Sequence, residues 1–190
     1  MGRIVVTEFV TLDGVMEDPG GAEGSEHGGW ARRCERGPEG DRFKLAELLD
    51  AEVMLLGRAT YEGFAAAWPS IRDEVGFADR MNGIPKYVVS RTLKHAAWAN
   101  TTVLGGEPAE EVAALRGRLG GNILVAGSAT LVDLLADHDL IDELRLMVFP
   151  VLLGAGRRLF ATAGAARRFA MRESGAAGET LIAVYDRAPA

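Results

Sequence analysis

Three short segments place glycine, hydroxyl and arginine residues directly after apolar runs. They are Gly57-Arg58-Ala59-Thr60, Ser90-Arg91-Thr92 and Gly127-Ser128-Ala129-Thr130. Glycine permits a sharp turn because it has no Cβ, and the first main-chain N–H groups of a helix have no partner within the helix. Such groups bind phosphate oxygens, and nearby arginines strengthen that binding. The three segments therefore suit a ligand with a pyrophosphate and one further phosphate.

The clearest of these segments lies within residues 122–135. A β-branched apolar run stops at Gly127, and leucines then repeat at helical spacing. The pattern predicts a strand, a tight turn and a helix with Ser128 at its N-cap. An ordinary strand-to-helix turn capped by a serine has the same sequence signature, so this segment alone does not establish phosphate binding.

The two arginines also have structural alternatives, because Arg58 could be a solvated residue at a helix start and Arg91 a surface turn residue. A charge-assisted hydrogen bond to phosphate contributes about 1.5 to 3 kcal/mol. Two arginines favour NADPH over NADH, since a ribose 2′-phosphate requires cations where NAD requires an acid. No Gly-x-Gly-x-x-Gly follows the first predicted strand, which argues against a Rossmann site.

Composition restricts the class of protein. A chain of 190 residues that is 48% hydrophobic can bury one sizeable core. Its formal net charge of -6 argues against nucleic acid and against an anionic membrane surface as partners. The single cysteine, Cys34, cannot form an internal disulfide, and a cytoplasmic location is expected.

No leader, membrane span or metal site is predicted either. Glu8 and Asp13 follow closely on the N-terminal apolar residues, which is wrong for a signal peptide, and no apolar run is long enough to cross a bilayer. The three histidines lack the spacing of metal ligands. The expected partner is a small-molecule substrate.

Strands and helices alternate along the chain and are followed by a run of strands. The predicted strands are residues 4–10, 53–56, 86–89, 102–104, 122–125 and 143–148, and the predicted helices lie near 43–49, 61–68, 71–81, 108–118 and 128–135. Residues 169–173 and 180–185 predict a terminal hairpin around a turn at 175–178. This order predicts an α/β fold with a mostly parallel central sheet, flanking helices and a C-terminal antiparallel hairpin. The carboxyl ends of parallel strands share one edge, where the three segments are expected to meet.

A long loop is predicted at residues 17–40, where glycine, proline and charged residues concentrate. Loops of this length are functional lids or disordered segments, and we expect an active-site lid. Trp30 lies within it, either to cover a ligand or to pack against the protein itself. No linker or internal repeat divides the chain, so residues 1–190 are expected to form a single domain.

The same motifs resemble a known family. Residues 55–62, Leu-Leu-Gly-Arg-Ala-Thr-Tyr-Glu, are similar to the strand–Gly-Arg-x-Thr–helix element of dihydrofolate reductases. Thr11-Leu12-Asp13-Gly14 and residues 84–91, 124–128, 140–144 and 150–154 resemble stand-alone bacterial relatives of the reductase domain of riboflavin biosynthesis. The likeness covers nearly the whole chain. It implies a dihydrofolate-reductase-like fold with NADPH as hydride donor.

The resemblance also implies roles for individual residues. Arg58 and Thr60 would bind the cofactor phosphates, and Ser90 with Arg91 would lie near the adenosine 2′-phosphate. Asp13 would border the nicotinamide on the substrate side. The implied cofactor-binding residues are Gly14, Met16, Gly57, Arg58, Thr60, Ser90, Arg91, Gly127, Ser128 and Thr130, and the implied substrate-binding residues are Asp13 and Trp30.

The chain departs from the family at the substrate acid. Folate reductases carry an acid on the first helix after a Trp-x-Leu-Pro pattern, whereas here Trp30 is followed by Ala-Arg-Arg-Cys. Asp41 is the candidate catalytic proton donor or substrate anchor, with a helix N-cap as its structural alternative.

The function that we expect from the sequence is an NADPH-dependent reductase that transfers hydride to a C=O or C=N carbon of a small heterocyclic or ribosylamino substrate. An enzyme similar to 5-amino-6-(5-phosphoribosylamino)uracil reductase fits this description. The alternatives are a dihydrofolate or pterin reductase and an NADP-binding module without turnover. A homodimer is expected if an apolar sheet edge stays exposed.

Overall fold

Eight strands form one sheet in the computed structural model, which describes residues 1–161 and 164–189. The strands are β1 (Arg3–Thr11), β2 (Ala51–Gly57), β3 (Lys86–Val89), β4 (Thr101–Leu104), β5 (Asn122–Val125), β6 (Glu143–Phe149), β7 (Phe169–Ala177) and β8 (Thr180–Arg187). Their order across the sheet is β4-β3-β2-β5-β1-β6-β8-β7. The first six are parallel, and β8 runs antiparallel to β6 and to β7. The predicted fold is confirmed.

Helices cover both faces of this sheet. They are α1 (Gly37–Asp50), α2 (Arg58–Ala67), α3 (Phe77–Gly83), α4 (Pro108–Arg118) and α5 (Ala129–Asp137). The alternation of side chains along β1 shows why both faces are covered, because Ile4 packs with residues of α4 and α5 while Val5 packs with residues of α1 and α2. Burial of each such side chain stabilises the fold by about 1.5 to 3 kcal/mol.

The predicted helix at 71–81 is wrong over its first six residues, because α3 begins at Phe77. The carboxylate of Asp73 accepts hydrogen bonds from the main-chain N–H groups of Val75 (3.0 Å), Phe77 (2.9 Å) and Ala78 (2.5 Å). Aspartate side chains compete in this way with the helical hydrogen-bond pattern and favour a turn. Residues 71–76 therefore form a turn that leads into the helix.

The C-terminal hairpin turns later than expected. Residues 175–177 continue β7 and pair with residues 180–182 of β8, so the turn consists of Gly178 and Glu179. Gly178 has φ +56, and a Cβ there would lie 2.3 Å from the main-chain oxygen of Glu35. The turn therefore requires glycine at 178.

The predicted loop at 17–40 ends earlier, because α1 begins at Gly37. Asp18, which is buried, organises the remaining loop. Its carboxylate accepts hydrogen bonds from the N–H groups of Glu23 (3.0 Å) and Ser25 (3.1 Å), and its main-chain oxygen accepts one from Gly29 (2.9 Å). The loop thus has its own hydrogen-bonded structure, while its role as a lid stays a prediction.

Candidate functional site

The three strand-end segments lie at one edge of the sheet. Strands β3, β2 and β5 are consecutive neighbours and parallel, so their carboxyl ends meet. Gly57 pairs with Val89 in the sheet, and therefore Arg58 and Ser90 each follow directly after paired residues. The expected convergence of these segments is present in the structure.

Two of these segments touch each other. The main-chain N–H of Gly57 donates to the oxygen of Gly127 at 3.3 Å. A Cβ on Gly57 would lie 2.1 Å from Ser128 Oγ, and a Cβ on Gly127 would lie 2.7 Å from Thr60 Oγ1. Gly127 also has φ +77, a conformation that favours glycine. Both glycines are therefore required for the close approach of the turns.

The starts of α2 and α5 present their first N–H groups at this edge. Gly57 is the N-cap residue of α2 and Ser128 that of α5, and neither makes a side-chain capping hydrogen bond. The predicted position of Ser128 at the N-cap is confirmed, but its hydroxyl does not cap the helix. The first N–H groups of both helices are thus available for an anion, with the hydroxyls of Thr60 and Thr130 in the first turns.

The two arginines differ in their surroundings. Arg58 is half exposed and pairs with Glu62 one turn along α2 at 3.0 Å. Such exposed pairs contribute about 0.3 to 0.5 kcal/mol, so a phosphate can displace Glu62. Arg91 is exposed and makes no ion pair within residues 1–161 and 164–189. The Ser90 hydroxyl accepts hydrogen bonds from the N–H groups of Thr92 (3.2 Å) and Leu93 (3.0 Å) and so fixes the turn that carries Arg91.

A notch opens in the sheet above β5. Val125, the last residue of β5, pairs with Val6 of β1 and with Leu55 of β2. Strands β1 and β2 both extend past the end of β5, to Thr11 and Gly57. The notch is the space bounded by residues 7–11 of β1, the end of β2 and the turn at Gly127. In open α/β sheets, such a crevice at the carboxyl ends of the strands is where ligands bind.

Glu8 on β1 contacts the floor of this notch. Its side chain is almost completely buried, and Oε1 accepts a hydrogen bond from the Gly127 N–H at 2.7 Å. Burial raises the pKa of Glu8 to about 8, although the Gly127 hydrogen bond and the charge of Lys44 act in the opposite direction. A buried carboxyl group without a paired cation favours its neutral form.

The opposite face of β1 carries a second polar group. The Thr7 hydroxyl donates to both carboxylate oxygens of Glu47 at 2.9 Å and accepts from Lys44 Nζ at 2.8 Å. Lys44 forms an ion pair with Glu47, and its Nζ lies 4.9 Å from the centre of the Phe9 ring. We call Thr7, Lys44 and Glu47 the α1 cluster. It brings a cation and a carboxylate beside the strand that borders the notch.

Asp13 holds two loops together. Its carboxylate accepts hydrogen bonds from the Thr11 hydroxyl (2.6 Å) and from the N–H groups of Gly154 (2.8 Å) and Leu153 (3.3 Å). The Thr11 and Gly154 hydrogen bonds lower the pKa of Asp13 to about 2. Its expected contact with substrate stays a prediction, because its known partners are protein groups.

Gly14 and Met16 follow in the same segment. Gly14 has φ +79, and its main-chain oxygen accepts a hydrogen bond from Leu159 at 2.9 Å. Met16 is buried, and its N–H donates to the oxygen of Arg157 at 2.9 Å. The chain from 11 to 16 is therefore fixed against residues 151–159, which gives this rim of the candidate site a defined shape.

Trp30 and Asp41 lie in different settings from each other. Trp30 is buried, its Nε1 donates to the oxygen of Glu17 at 2.8 Å, and its ring packs edge-on against Phe149. This placement favours packing over ligand cover.

Asp41 is inside α1 rather than at its N-cap, so the capping interpretation is wrong. Its side chain is 65% exposed and pairs with Arg36 at 2.6 Å.

Sequence reasoning missed Glu8 and the α1 cluster. An acid in the apolar run of β1 was a usable signal, because a carboxyl group buried among apolar residues has a perturbed pKa and marks candidate functional sites. The inward direction of Lys44 and Glu47 had no comparable signal, since charged residues on a helix usually face solvent.

A charged depression of about 490 Å³ lies at the other end of the sheet and is distinct from the notch. Its charges pair with one another: Arg172 contacts Glu143 at 2.9 Å and Asp186 at 3.0 Å, and Arg3 also contacts Asp186 at 3.0 Å. Its arginines Arg3, Arg172 and Arg187 each pair with a carboxylate, whereas Arg91 forms no ion pair within residues 1–161 and 164–189. The notch is therefore the stronger candidate site.

Solved structures of related shape define the class of fold. The chain has a TM-score of 0.60 and 14% identity to a dihydrofolate reductase of Enterococcus faecalis complexed with NADP(H) and RAB-propyl, over 99% of this chain and 98% of that one. It has a TM-score of 0.65 and 11% identity to a pyrimidine reductase-like protein of Corynebacterium diphtheriae, over 100% and 93%. The fold is that of the dihydrofolate reductases.

The family follows from the sequence. Residues 3–183 match the RibD C-terminal domain family. The chain is 30% identical over 165 residues to the Bacillus subtilis (strain 168) protein YyaP, described as uncharacterized, covering 83% of this chain and 80% of YyaP. A candidate riboflavin biosynthesis protein of Shewanella sp. PV-4 has a TM-score of 0.78 and 20% identity, over 98% of this chain and 99% of that one. The chain belongs to the RibD C-terminal domain family.

Membrane-spanning helices and metal-ligand clusters are both absent from the described part of the chain. Within residues 1–161 and 164–189, no helix has the length and apolar character needed to cross a bilayer. In the same residues, no three His, Cys, Asp or Glu side chains converge as a metal site.

Proposed function

We propose that the chain is an NADPH-dependent reductase that acts on a C=O or C=N carbon of a small heterocyclic or ribosylamino substrate. The observation that carries the proposal is the convergence of three turns at the ends of β3, β2 and β5, where two helix N-termini and two arginines face one edge. NADPH, when bound, supplies the hydride. The structural likeness to an NADP(H)-complexed dihydrofolate reductase supports this cofactor.

The donor set fits a phosphorylated dinucleotide. Gly57 and Gly127 leave room for close approach, since a Cβ at either position would meet the other turn. The N–H groups at the starts of α2 and α5, with Thr60 and Ser128, would hold the pyrophosphate. Arg91, on a turn fixed by Ser90, would hold the 2′-phosphate.

The remaining residues would bind and orient the substrate. The α1 cluster and Phe9 border β1 on one face, and Asp41 lies further toward the start of α1. Asp41 remains the proposed proton donor, and the loop before α1 would exclude water from the notch. An enzyme similar to 5-amino-6-(5-phosphoribosylamino)uracil reductase is the specific form of this proposal, which membership of the RibD C-terminal domain family supports.

NADPH oxidation tests the proposal. We expect NADPH to quench the intrinsic fluorescence of the protein saturably, and absorbance at 340 nm to fall when the aminouracil substrate is added. Saturable binding without oxidation by any ketone, pterin or aminouracil would instead indicate an NADP-binding module. Competition by methotrexate for the substrate would indicate a folate or pterin reductase. Absence of NADPH binding would overturn the proposal.

A homodimer is proposed through the edge strand β7. Residues 170–176 of this strand are exposed, including Met171, and Leu181 on β8 is exposed beside it. Unpaired edge strands with apolar residues favour association with a second copy. Sedimentation velocity would show twice the monomer mass, whereas a species of 20.3 kDa alone would contradict the dimer.

A further inference from the structure

Glu8 is an acid in the interior of a parallel sheet with no cation bonded to it. The residue is 8% exposed, and the hydrogen bond of its carboxyl group within residues 1–161 and 164–189 is the one that Oε1 accepts from the Gly127 N–H. Isolated ionised carboxylates are costly to bury, so a group in this position requires a paired cation or a bound proton. In the described part of the chain no cation lies at bonding distance from the Glu8 carboxyl group, which leaves the proton.

The charged groups that act on Glu8 both lie on α1. Lys44 and Glu47 of α1 both act on it, with opposite signs, and they pair with each other. Leu146, its neighbour on β6, and Gly127, its hydrogen-bond partner, are uncharged. Asp133, the buried acid of α5, is paired with Arg157 at 3.2 Å. None of these groups offers Glu8 a cation that is not already paired.

The second oxygen of Glu8, Oε2, makes no hydrogen bond within residues 1–161 and 164–189, where the contact of this carboxyl group is that of Oε1 with the Gly127 N–H. A proton can therefore be carried on Oε2 while Oε1 keeps its hydrogen bond to Gly127.

The protonation state changes the charge beside the turn without changing the hydrogen bond. Both a neutral and an ionised carboxyl group accept from the Gly127 N–H. An ionised Glu8, however, places a negative charge one hydrogen bond away from the turn that begins α5. In a poorly solvated site that charge opposes an anion bound at the same turn.

We propose that Glu8 is a positioning residue that holds the Gly127–Ser128 turn as a neutral carboxylic acid, and that its ionisation weakens the binding of a phosphate-bearing ligand there. This inference rests on the proposed function only in taking NADPH as that ligand. Burial raises the pKa of Glu8 to about 8, which places the change within a measurable range. By linkage, affinity falls as the pH rises through this value, and ligand binding takes up a proton.

The first test needs neither ligand nor variant. The ¹³C resonance of the Glu8 carboxyl carbon, followed from pH 4 to 10 in the free protein, is expected to titrate near pH 8. Titration below pH 6 would overturn the proposal. The carboxyl carbon of the exposed Glu26 in the same spectra is the internal control.

The second test separates this proposal from the proposed function. For the wild type we expect the dissociation constant of NADPH to rise at least fivefold between pH 7 and pH 9. The Glu8→Gln side chain keeps an acceptor for the Gly127 N–H but does not titrate. The dissociation constant of NADPH for this variant should therefore change less than twofold over the same pH range. Equal pH dependence in both proteins would overturn the role of Glu8, as would an unchanged constant in the wild type.

Inorganic pyrophosphate serves as a second ligand in the same series. If NADPH does not bind but pyrophosphate shows the pH-dependent affinity, the role of Glu8 stands and the proposed function fails. If neither ligand binds at any pH, both proposals fail. Circular dichroism of Glu8→Gln at each pH checks that the variant is folded.

Discussion

Gly57 and Ser128 lie so close together that a Cβ on Gly57 would stand 2.1 Å from Ser128 Oγ. Gly57 ends β2 and precedes α2, whereas Ser128 precedes α5. Their contact therefore sets two helix N-termini side by side at one edge of the sheet. A nucleotide site built on both turns depends on the absence of a side chain at position 57.

Replacement of Gly57 by alanine tests this contact. The added methyl group would also lie 3.0 Å from the main-chain nitrogen of Ser128, so the turns must separate. We expect a loss of about 1 to 3 kcal/mol in the free energy of unfolding, as for other overpacked sites. The affinity for NADPH should fall at least tenfold. Chemical denaturation and fluorescence titration measure the two effects.

Gly63→Ala is the matched control for this substitution. Gly63 lies within α2, and a Cβ there meets nothing within 4 Å. Alanine is the better helix former by about 0.5 to 1 kcal/mol, so this variant should be at least as stable as the wild type and bind NADPH equally well. Wild-type affinity in Gly57→Ala would contradict the shared site.

Arg91→Ala tests the 2′-phosphate contact. A lost charge-assisted hydrogen bond of about 1.5 to 3 kcal/mol corresponds to a weakening of NADPH binding by about 10- to 150-fold. NADH lacks the 2′-phosphate, so its affinity should change by less than about twofold. Isothermal titration with both nucleotides measures the difference. Arg118→Ala, an exposed arginine at the end of α4, is the control, and equal losses for NADPH and NADH in Arg91→Ala would argue against this role.

Asp41→Asn tests the proton donor. A positioned general acid contributes about 10²- to 10⁴-fold to the rate, so kcat should fall by at least about 10²-fold while the NADPH dissociation constant stays the same. Glu39→Gln removes a neighbouring exposed acid, which pairs with Arg42 at 3.0 Å, and should leave kcat unchanged. If Asp41→Asn also leaves kcat unchanged, Asp41 forms only a surface ion pair with Arg36, and the α1 cluster becomes the candidate.

Glu8 makes the stability of the free protein depend on pH. Its pKa is raised from 4.5 to about 8 in the folded state, so between these values the folded protein binds a proton that the unfolded chain has released. The free energy of unfolding therefore decreases as the pH rises through this window, and the contribution is fully present only below about pH 4.5. Denaturant titrations from pH 5 to 9 should show a shallower decline in Glu8→Gln than in the wild type. Identical slopes would contradict the raised pKa.

Much of the fold could be predicted because its signals are local. The apolar run of β1 and the strand-to-helix turns at Gly57 and Gly127 each depend on residues adjacent in sequence. Parallel topology then brings their ends to one edge, which is why the convergence of three turns could be expected. The start of α3 could not, because the Asp73 carboxylate organises a turn through hydrogen bonds that a periodicity argument does not register.

The candidate residues on α1 and in the loop before it could not be assigned from sequence, because the sequence does not specify whether each side chain faces solvent or the interior. Asp41 and Glu47 are both acids on α1, yet Asp41 faces solvent and Glu47 meets Thr7 in the interior. Trp30 is a core residue within a polar loop because Asp18 folds that loop back on itself. These outcomes follow from how α1 and the loop pack on β1 and β6, and that packing is a tertiary effect.

One titration tests whether three separate turns form a single nucleotide site. NADPH is added to ¹⁵N-labelled protein, and the amide resonances of residues 57–60, 90–92 and 127–130 are followed together. We expect all three groups to shift with one common dissociation constant, while the amides of residues 116–118, at the end of α4 and beside the start of β1, stay in place. Shifts confined to one turn, or different dissociation constants for the three, would contradict it.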